Sequence, residues 1–111
     1  MEDCIFCKIV AGKMPTDKVF EDDQVIVIRD IRPKAKVHLL IICRAHIKSL
    51  KAAQEKHHTL LAHMLTLQTK LAEEAGLHDG FRTVINTGPG GGQEIDHLHF
   101  HLLGGGGLPG F

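Results

Sequence analysis

The chain of 111 residues has no net charge to steer it, because thirteen lysines and arginines balance thirteen aspartates and glutamates. Without an excess of one sign there is no electrostatic footprint for nucleic acid or a membrane surface beyond local patches, so small ligands are the better expectation. Long apolar runs are also missing. The longest, Leu39 to Cys43, falls far short of the roughly twenty residues of a membrane span, and a soluble protein is expected. The acidic start Met1-Glu2-Asp3 offers no cationic segment followed by an apolar one, so no secretion signal is expected. Cysteine is scarce and odd in number, at three copies. That speaks against a disulfide framework and for a reducing cytoplasm. No repeat and no linker interrupts the chain, and one domain over residues 1–111 is expected, large enough to bury roughly two-thirds of its unfolded surface.

What the chain has instead is histidine, nine in all. Three of them stand in His97-Leu98-His99-Phe100-His101-Leu102-Leu103. Side chains alternate faces along a strand, so the three imidazoles share one face while Leu98, Phe100 and Leu102 take the other. Upstream, Gly88-Pro89-Gly90-Gly91-Gly92-Gln93 is rich enough in glycine to turn backbone N–H groups toward an anion. Neutral imidazole beside an anion cradle suggests phosphoryl or nucleotidyl chemistry. A lone strand histidine is ordinarily structural, but three desolvated imidazoles each need a partner, which makes coincidence a poor explanation.

Taken in order, Asp3 is placed to cap a short helix from Cys4 to Val10, ending at Gly12. Its Cys4-x-x-Cys7 spacing puts both sulfurs on one side, either as small buried residues or as half of a tetrahedral zinc site. Lys18–Glu21 and Gln24–Arg29 read as a hairpin turning at Asp22-Asp23, and Val37–Cys43 as a third, buried strand. Asp30 at the second strand's end is either a solvated acid or, in a nucleotide site, an acceptor for two ribose hydroxyls. Leu60, Leu61, Met64, Leu65, Leu67, Leu71, Ala72 and Ala75 recur at helical spacing, predicting a helix from about Glu55 to Ala75 that stops at Gly76. His57, His58 and His63 on it lie among polar residues and are read as surface positions. Phe81–Asn86 reads as a fourth strand, and the histidine strand completes an antiparallel meander with one helix inserted. The fold class is therefore α+β: a five-stranded antiparallel sheet with one long helix and a short N-terminal one. The tail from Gly104 to Phe111 is expected to be mobile or borrowed by a partner chain.

With φ for an apolar residue, His-φ-His-φ-His-φ-φ resembles the signature of the histidine triad (HIT) family. Gly91-Gly92-Gln93 before it and Leu103-Gly104-Gly105 after it are similar to the Hint branch, the purine nucleoside phosphoramidases. The likeness runs along nearly the whole chain, through Cys4-Ile5-Phe6-Cys7-Lys8-Ile9, Phe20-Glu21-Asp22-Asp23 and Asp30-Ile31. It implies a HIT-like sheet and a homodimer in which two sheets join.

The resemblance also implies roles. His99 matches the family's nucleophile, which attacks the α-phosphorus of a nucleoside monophosphate derivative; its other ring nitrogen is held by the carbonyl of the residue matching His97. A neutral imidazole needs no further base for that attack. His101 matches a histidine that holds a non-bridging oxygen or helps protonate the departing amine. Gln93 and Asn86 match residues near the ester oxygen, ribose or phosphate, and Asp30 the carboxylate on the ribose hydroxyls. Ile5, Phe6, Ile9, Ile28 and Ile31 match the walls of a purine slot. Members with this Cys-x-x-Cys can bind a structural zinc through residues matching Cys4, Cys7, His46 and His97, while Cys43 is left to the core. No organic cofactor is implied. Two departures stand out: Glu94 replaces a Ser or Thr found in some relatives, and the tail is short and glycine-rich. The expected activity is release of a purine nucleoside monophosphate from a phosphoramidate. The alternatives are hydrolysis of dinucleoside polyphosphates, or a nucleotide- or zinc-binding module without turnover.

Overall fold

The computed structural model describes residues 3–110. A short helix α1 (Ile5–Val10) leads into strands β1 (Lys18–Glu21), β2 (Val25–Arg29) and β3 (Val37–Cys43). The long helix α2 (His58–Glu74), then β4 (Arg82–Val84) and β5 (His99–Gly104), complete the order. All pairings are antiparallel, in the spatial order β1-β2-β3-β5-β4.

The five-stranded sheet with one long helix is as the residue pattern predicts, but the meander is not. β1, β2 and β3 follow one another, whereas β5 enters between β3 and β4. The reason lies in what each strand can bury. β5 alternates apolar residues with imidazoles, and its α2 face is fully buried while the other is at least half-buried, which suits a central strand. The fourth strand contracts from the expected six residues to Arg82–Val84, none of them buried, and a short polar strand suits an open edge.

Register sorts the side chains into two layers. Ile42 lies opposite His99, Ile41 opposite Phe100, Leu40 opposite His101 and Leu39 opposite Leu102. Val25, Val27, Leu39, Ile41, Cys43, Leu98, Phe100 and Leu102 form one buried cluster with Met64, Leu67, Leu71 and Ala72 of α2. Ile26, Ile28, Leu40 and Ile42 form a second with Phe6 and Ile9 of α1. The histidines of β5 share this second face, under α1.

Several local expectations shift. The cap of α1 is Cys4 rather than Asp3, its Sγ accepting from the Cys7 backbone N–H at 3.3 Å. The histidine strand begins at His99, because the His97 N–H turns back to the Ile95 carbonyl and the Leu98 N–H reaches the Ile47 carbonyl. α2 is preceded by a tight turn at Glu55–His57 and ends at Glu74, with Gly76 at φ +81° closing it as a left-handed stop. Gly104 belongs to β5, not to the tail, and pairs with Val37; a Cβ there would lie 2.6 Å from Leu77 Cδ1. Phe111 lies outside the described residues. No helix among them is long and apolar enough to cross a membrane.

Candidate active site and metal cluster

A cavity of about 570 Å³ opens on the α1 side, with His99 and His101 in its lining. Of the residues that the sequence singles out, Asp30, Asn86, Ile5, Phe6, Ile9, Ile28 and Ile31 line it as well. Ile9 and Ile28 are buried and belong equally to the core, whereas Ile31 is almost fully exposed at its mouth.

Gln93 is placed differently. Its Oε1 accepts from the Gly88 N–H at 2.8 Å, while its Nε2 donates to the Lys48 and Ile95 carbonyls at 2.8 and 2.9 Å. Its amide thus braces the glycine loop and is not part of the cavity lining. Asn86 Nδ2 braces the same loop through the Gly91 carbonyl, leaving its carbonyl oxygen unspent.

Hydrogen-bond chemistry fixes which ring nitrogens carry protons. His99 Nδ1 lies 2.7 Å from the His97 carbonyl oxygen. A carbonyl can only accept, so Nδ1 holds the proton and Nε2 is left with the lone pair. Burial pushes the His99 pKa below the ordinary histidine range, against the opposing pull of that carbonyl and of Asp30. The ring is neutral at pH 7 and nucleophilic at one defined atom.

His38, which no sequence motif marks, does the same for His101. Its Nδ1 accepts from the Lys34 N–H at 3.1 Å, so its Nε2 carries the proton and donates to His101 Nδ1 at 2.9 Å. His101 must then hold its own proton on Nε2. Burial, and next the neighbouring His99 and His38, push the His101 pKa down to about 4, so it presents a neutral N–H. Asp30 Oδ2 lies 3.4 Å from His38 Nε2, and its Oδ1 accepts from the Arg32 N–H. The only signal for His38 in the sequence is an imidazole inside the otherwise apolar Val37–Cys43, which a satisfied core histidine would also give.

Among the described residues, two groups of donor atoms are close enough to hold a metal ion. In the first, Asp30, His38 and His101, the His38 Nε2 proton occupies the position a metal would need, so the group works as a hydrogen-bonded chain. The second is Cys4, Cys7, His46 and His97. Its donors are 3.3 Å (Cys4 Sγ to His97 Nδ1), 3.3 Å (Cys7 Sγ to His46 Nδ1), 3.6 Å (Cys7 Sγ to His97 Nδ1) and 3.2 Å (His46 Nδ1 to His97 Nδ1) apart. Bonds of about 2.3 Å to sulfur and 2.0–2.1 Å to nitrogen give a tetrahedral zinc edges of about 3.3–3.8 Å, so the donor set fits. His97 Nε2 donates to the Cys43 carbonyl at 2.6 Å, which frees its Nδ1 lone pair for a ligand bond. Cys43 is buried, as expected, and its thiol, pushed up to about 11 by burial, takes no part.

Known proteins share this sequence and fold. Residues 3–106 match the family described as scavenger mRNA decapping enzyme C-term binding. A purine nucleoside phosphoramidase of Escherichia coli K12 is 43% identical over 105 residues, covering 94% of this chain and 88% of the relative. A HIT family hydrolase from Legionella pneumophila superposes with a TM-score of 0.93 at 45% identity, over 96% of each chain. A Zn-bound histidine triad family protein from Mycobacterium smegmatis superposes with a TM-score of 0.80 at 33% identity, over 92% of this chain and 74% of the other. The chain belongs to the histidine triad family of hydrolases.

Proposed function

We propose that the protein hydrolyses purine nucleoside 5'-phosphoramidates, or related nucleotidyl conjugates, to the nucleoside monophosphate through a nucleotidyl-His99 intermediate. The observation that carries the reading is the 2.7 Å bond from His99 Nδ1 to the His97 carbonyl, which leaves Nε2 as the nucleophile. In the first step the Nε2–phosphorus bond forms and the P–N bond breaks. The amine departs with a proton from solvent. In the second, water oxygen bonds phosphorus, the Nε2–phosphorus bond breaks and a proton returns to solvent. Dividing one displacement into two lowers each barrier. His101 Nε2–H is suited to a non-bridging oxygen, where charge gathers. Asp30 would take the ribose hydroxyls, Asn86 with the loop N–H groups would meet the phosphate, and the Ile5, Phe6 and Ile31 walls would hold the base. No role in the cavity falls to the Gln93 side chain, whose amide is committed to the loop.

The Cys4, Cys7, His46 and His97 cluster would hold a structural zinc, since four protein donors close a tetrahedral shell and leave no position for water. A homodimer is supported by the open edge at β4, beside which Phe81 is exposed. Sedimentation at micromolar concentration tests it. Three free thiols suit a reducing cytoplasm.

The test of function is hydrolysis of adenosine 5'-phosphoramidate by the wild type and by His99→Ala, with diadenosine polyphosphate in competition. AMP released by the wild type alone is the expected result. Preferential cleavage of the polyphosphate would replace the phosphoramidase reading, and AMP bound without turnover of either substrate would make the protein a binding module.

A further inference from the structure

One residue belongs to both halves of the site. His97 is fully buried, and each of its polar groups is committed: ring Nδ1 to the metal cluster, ring Nε2 to the Cys43 carbonyl, and backbone carbonyl to His99 Nδ1. Its own N–H is tied to the Ile95 carbonyl, and the N–H that follows is tied to the Ile47 carbonyl. A shift of the residue as a whole therefore carries the ring and the carbonyl that orients the nucleophile together.

A second connection runs through α1. Cys4 caps this helix and Cys7 lies on its first turn, so both sulfurs anchor the segment that carries Ile5, Phe6 and Ile9 into the cavity wall. Phe6 sits edge-on to both His97 and His99, with ring centroids 5.8 and 5.0 Å away. A helix of six residues has little stability alone. Without a cation, four electron-rich donors all within 4.8 Å of one another repel unless they share protons, and that repulsion would be relieved by a shift of α1 and of His97.

We propose that His97 is a positioning residue that links the metal cluster to the nucleotide cavity, so that metal occupancy and nucleotide binding strengthen each other. The inference rests on the nucleotide reading above and adds to a structural zinc a thermodynamic role in the site. Linkage makes the effect reciprocal: zinc changes AMP affinity by the same factor by which AMP changes zinc affinity. A metal that merely stabilised the fold at a distance would raise the melting temperature and leave the two affinities independent.

The experiment is calorimetric titration of AMP into zinc-loaded and chelator-treated full-length protein, paired with zinc titration in the absence and presence of saturating AMP. The neighbouring cavity lined by Cys4 and His46 gives a chelator access. AMP should bind at least about fivefold more weakly to the metal-free protein, the lower end of usual couplings, with the same factor in the zinc titration. Cys4→Ser/Cys7→Ser should bind AMP like the chelated wild type and be indifferent to added zinc. The chelated wild type carries the test should that variant fail to fold. Equal AMP affinity in both metal states overturns the linkage and leaves the nucleotide reading standing. Zinc sensitivity that persists in the double variant also overturns it, by placing the effect on the nucleotide or elsewhere. AMP binding to neither form overturns the nucleotide reading and the linkage with it.

Discussion

The two faces of the sheet are made from the same strands and held by different forces. On β3, Leu39, Ile41 and Cys43 enter the α2 cluster, while Leu40 and Ile42 enter the α1 cluster and His38 meets His101 in the cavity. On β5, Phe100 and Leu102 face α2, and His99 and His101 line the cavity. The α2 face is closed by a seventeen-residue helix with an apolar stripe, so burial of apolar area suffices to hold it. The α1 face is covered by six residues, and its polar groups are ordered by particular hydrogen bonds and by the metal donors. One face therefore answers to lost volume, and the other to a lost atom.

The largest effect should come from deleting the nucleophile. His99→Ala is expected to lower AMP release by about 10³-fold or more, while its melting curve stays close to the wild type's. On the opposite face, Phe100→Ala removes a fully buried ring and should cost about 3–5 kcal/mol by urea unfolding, with activity per folded molecule retained at low denaturant. A catalytic loss from Phe100→Ala comparable to that of His99→Ala would show that the faces are not separable. Between these lies His38→Ala, which frees His101 to take either tautomer. Its kcat should fall by about a hundredfold, with AMP affinity nearly unchanged; a fall confined to affinity would contradict the assigned role.

The contrast also explains what the sequence revealed. Leu98, Phe100 and Leu102 announce a buried face through alternation alone, and the Leu60–Ala75 stripe announces its cover. Both reflect area burial, which depends on residue type and period. Strand order was not legible, because a period of two specifies faces and says nothing of neighbours. The α1 face depends on individual atoms, and there residue type misleads. Gln93 has the same donors and acceptor whether it meets a ligand or the Gly88, Lys48 and Ile95 backbone. His38 looks like any core histidine until Lys34 and His101 are placed at its two nitrogens. Asp3 is the better cap former by type, yet the sulfur of Cys4 takes that position. The spacing of Cys4-x-x-Cys7 is compatible equally with two small buried residues and with two metal donors, and only the family resemblance adds His46 and His97.

Acid should separate the faces further. His38, His97, His99 and His101 all have folded-state pKa values below the ordinary histidine value, chiefly through burial. The unfolded chain therefore binds protons that the native state refuses as pH falls below about 6.5, and stability is lost from there toward the pKa of His101, about 4. Well above pH 6.5 both states are neutral at these sites, and no change is expected from them. Turnover should likewise be level between pH 6.5 and 7.5 and fall on an acid limb below that range, measured as AMP release at saturating substrate. An acid limb centred above pH 6.5 would mean that His99 is not the buried neutral ring described.

The smallest effect is expected at a polar contact beneath α2. His63 Nε2 lies 2.7 Å from Asp22 Oδ2 and ties the helix to the β1–β2 turn, but both side chains are about a quarter to a third exposed. Asp22 does not depend on this partner. Its Oδ1 accepts from the Gln24 and Val25 N–H groups at 2.8 Å each, so the turn keeps its internal bonds when the imidazole is removed. Solvent screens the pair, and side-chain entropy offsets part of the remaining attraction. His63→Ala should cost about 0.5 kcal/mol by urea unfolding, several times less than Phe100→Ala on the same face. A loss above about 2 kcal/mol would show that α2 is pinned by a specific polar contact, as α1 is, and the division of labour between the two faces would fail where it is simplest to test.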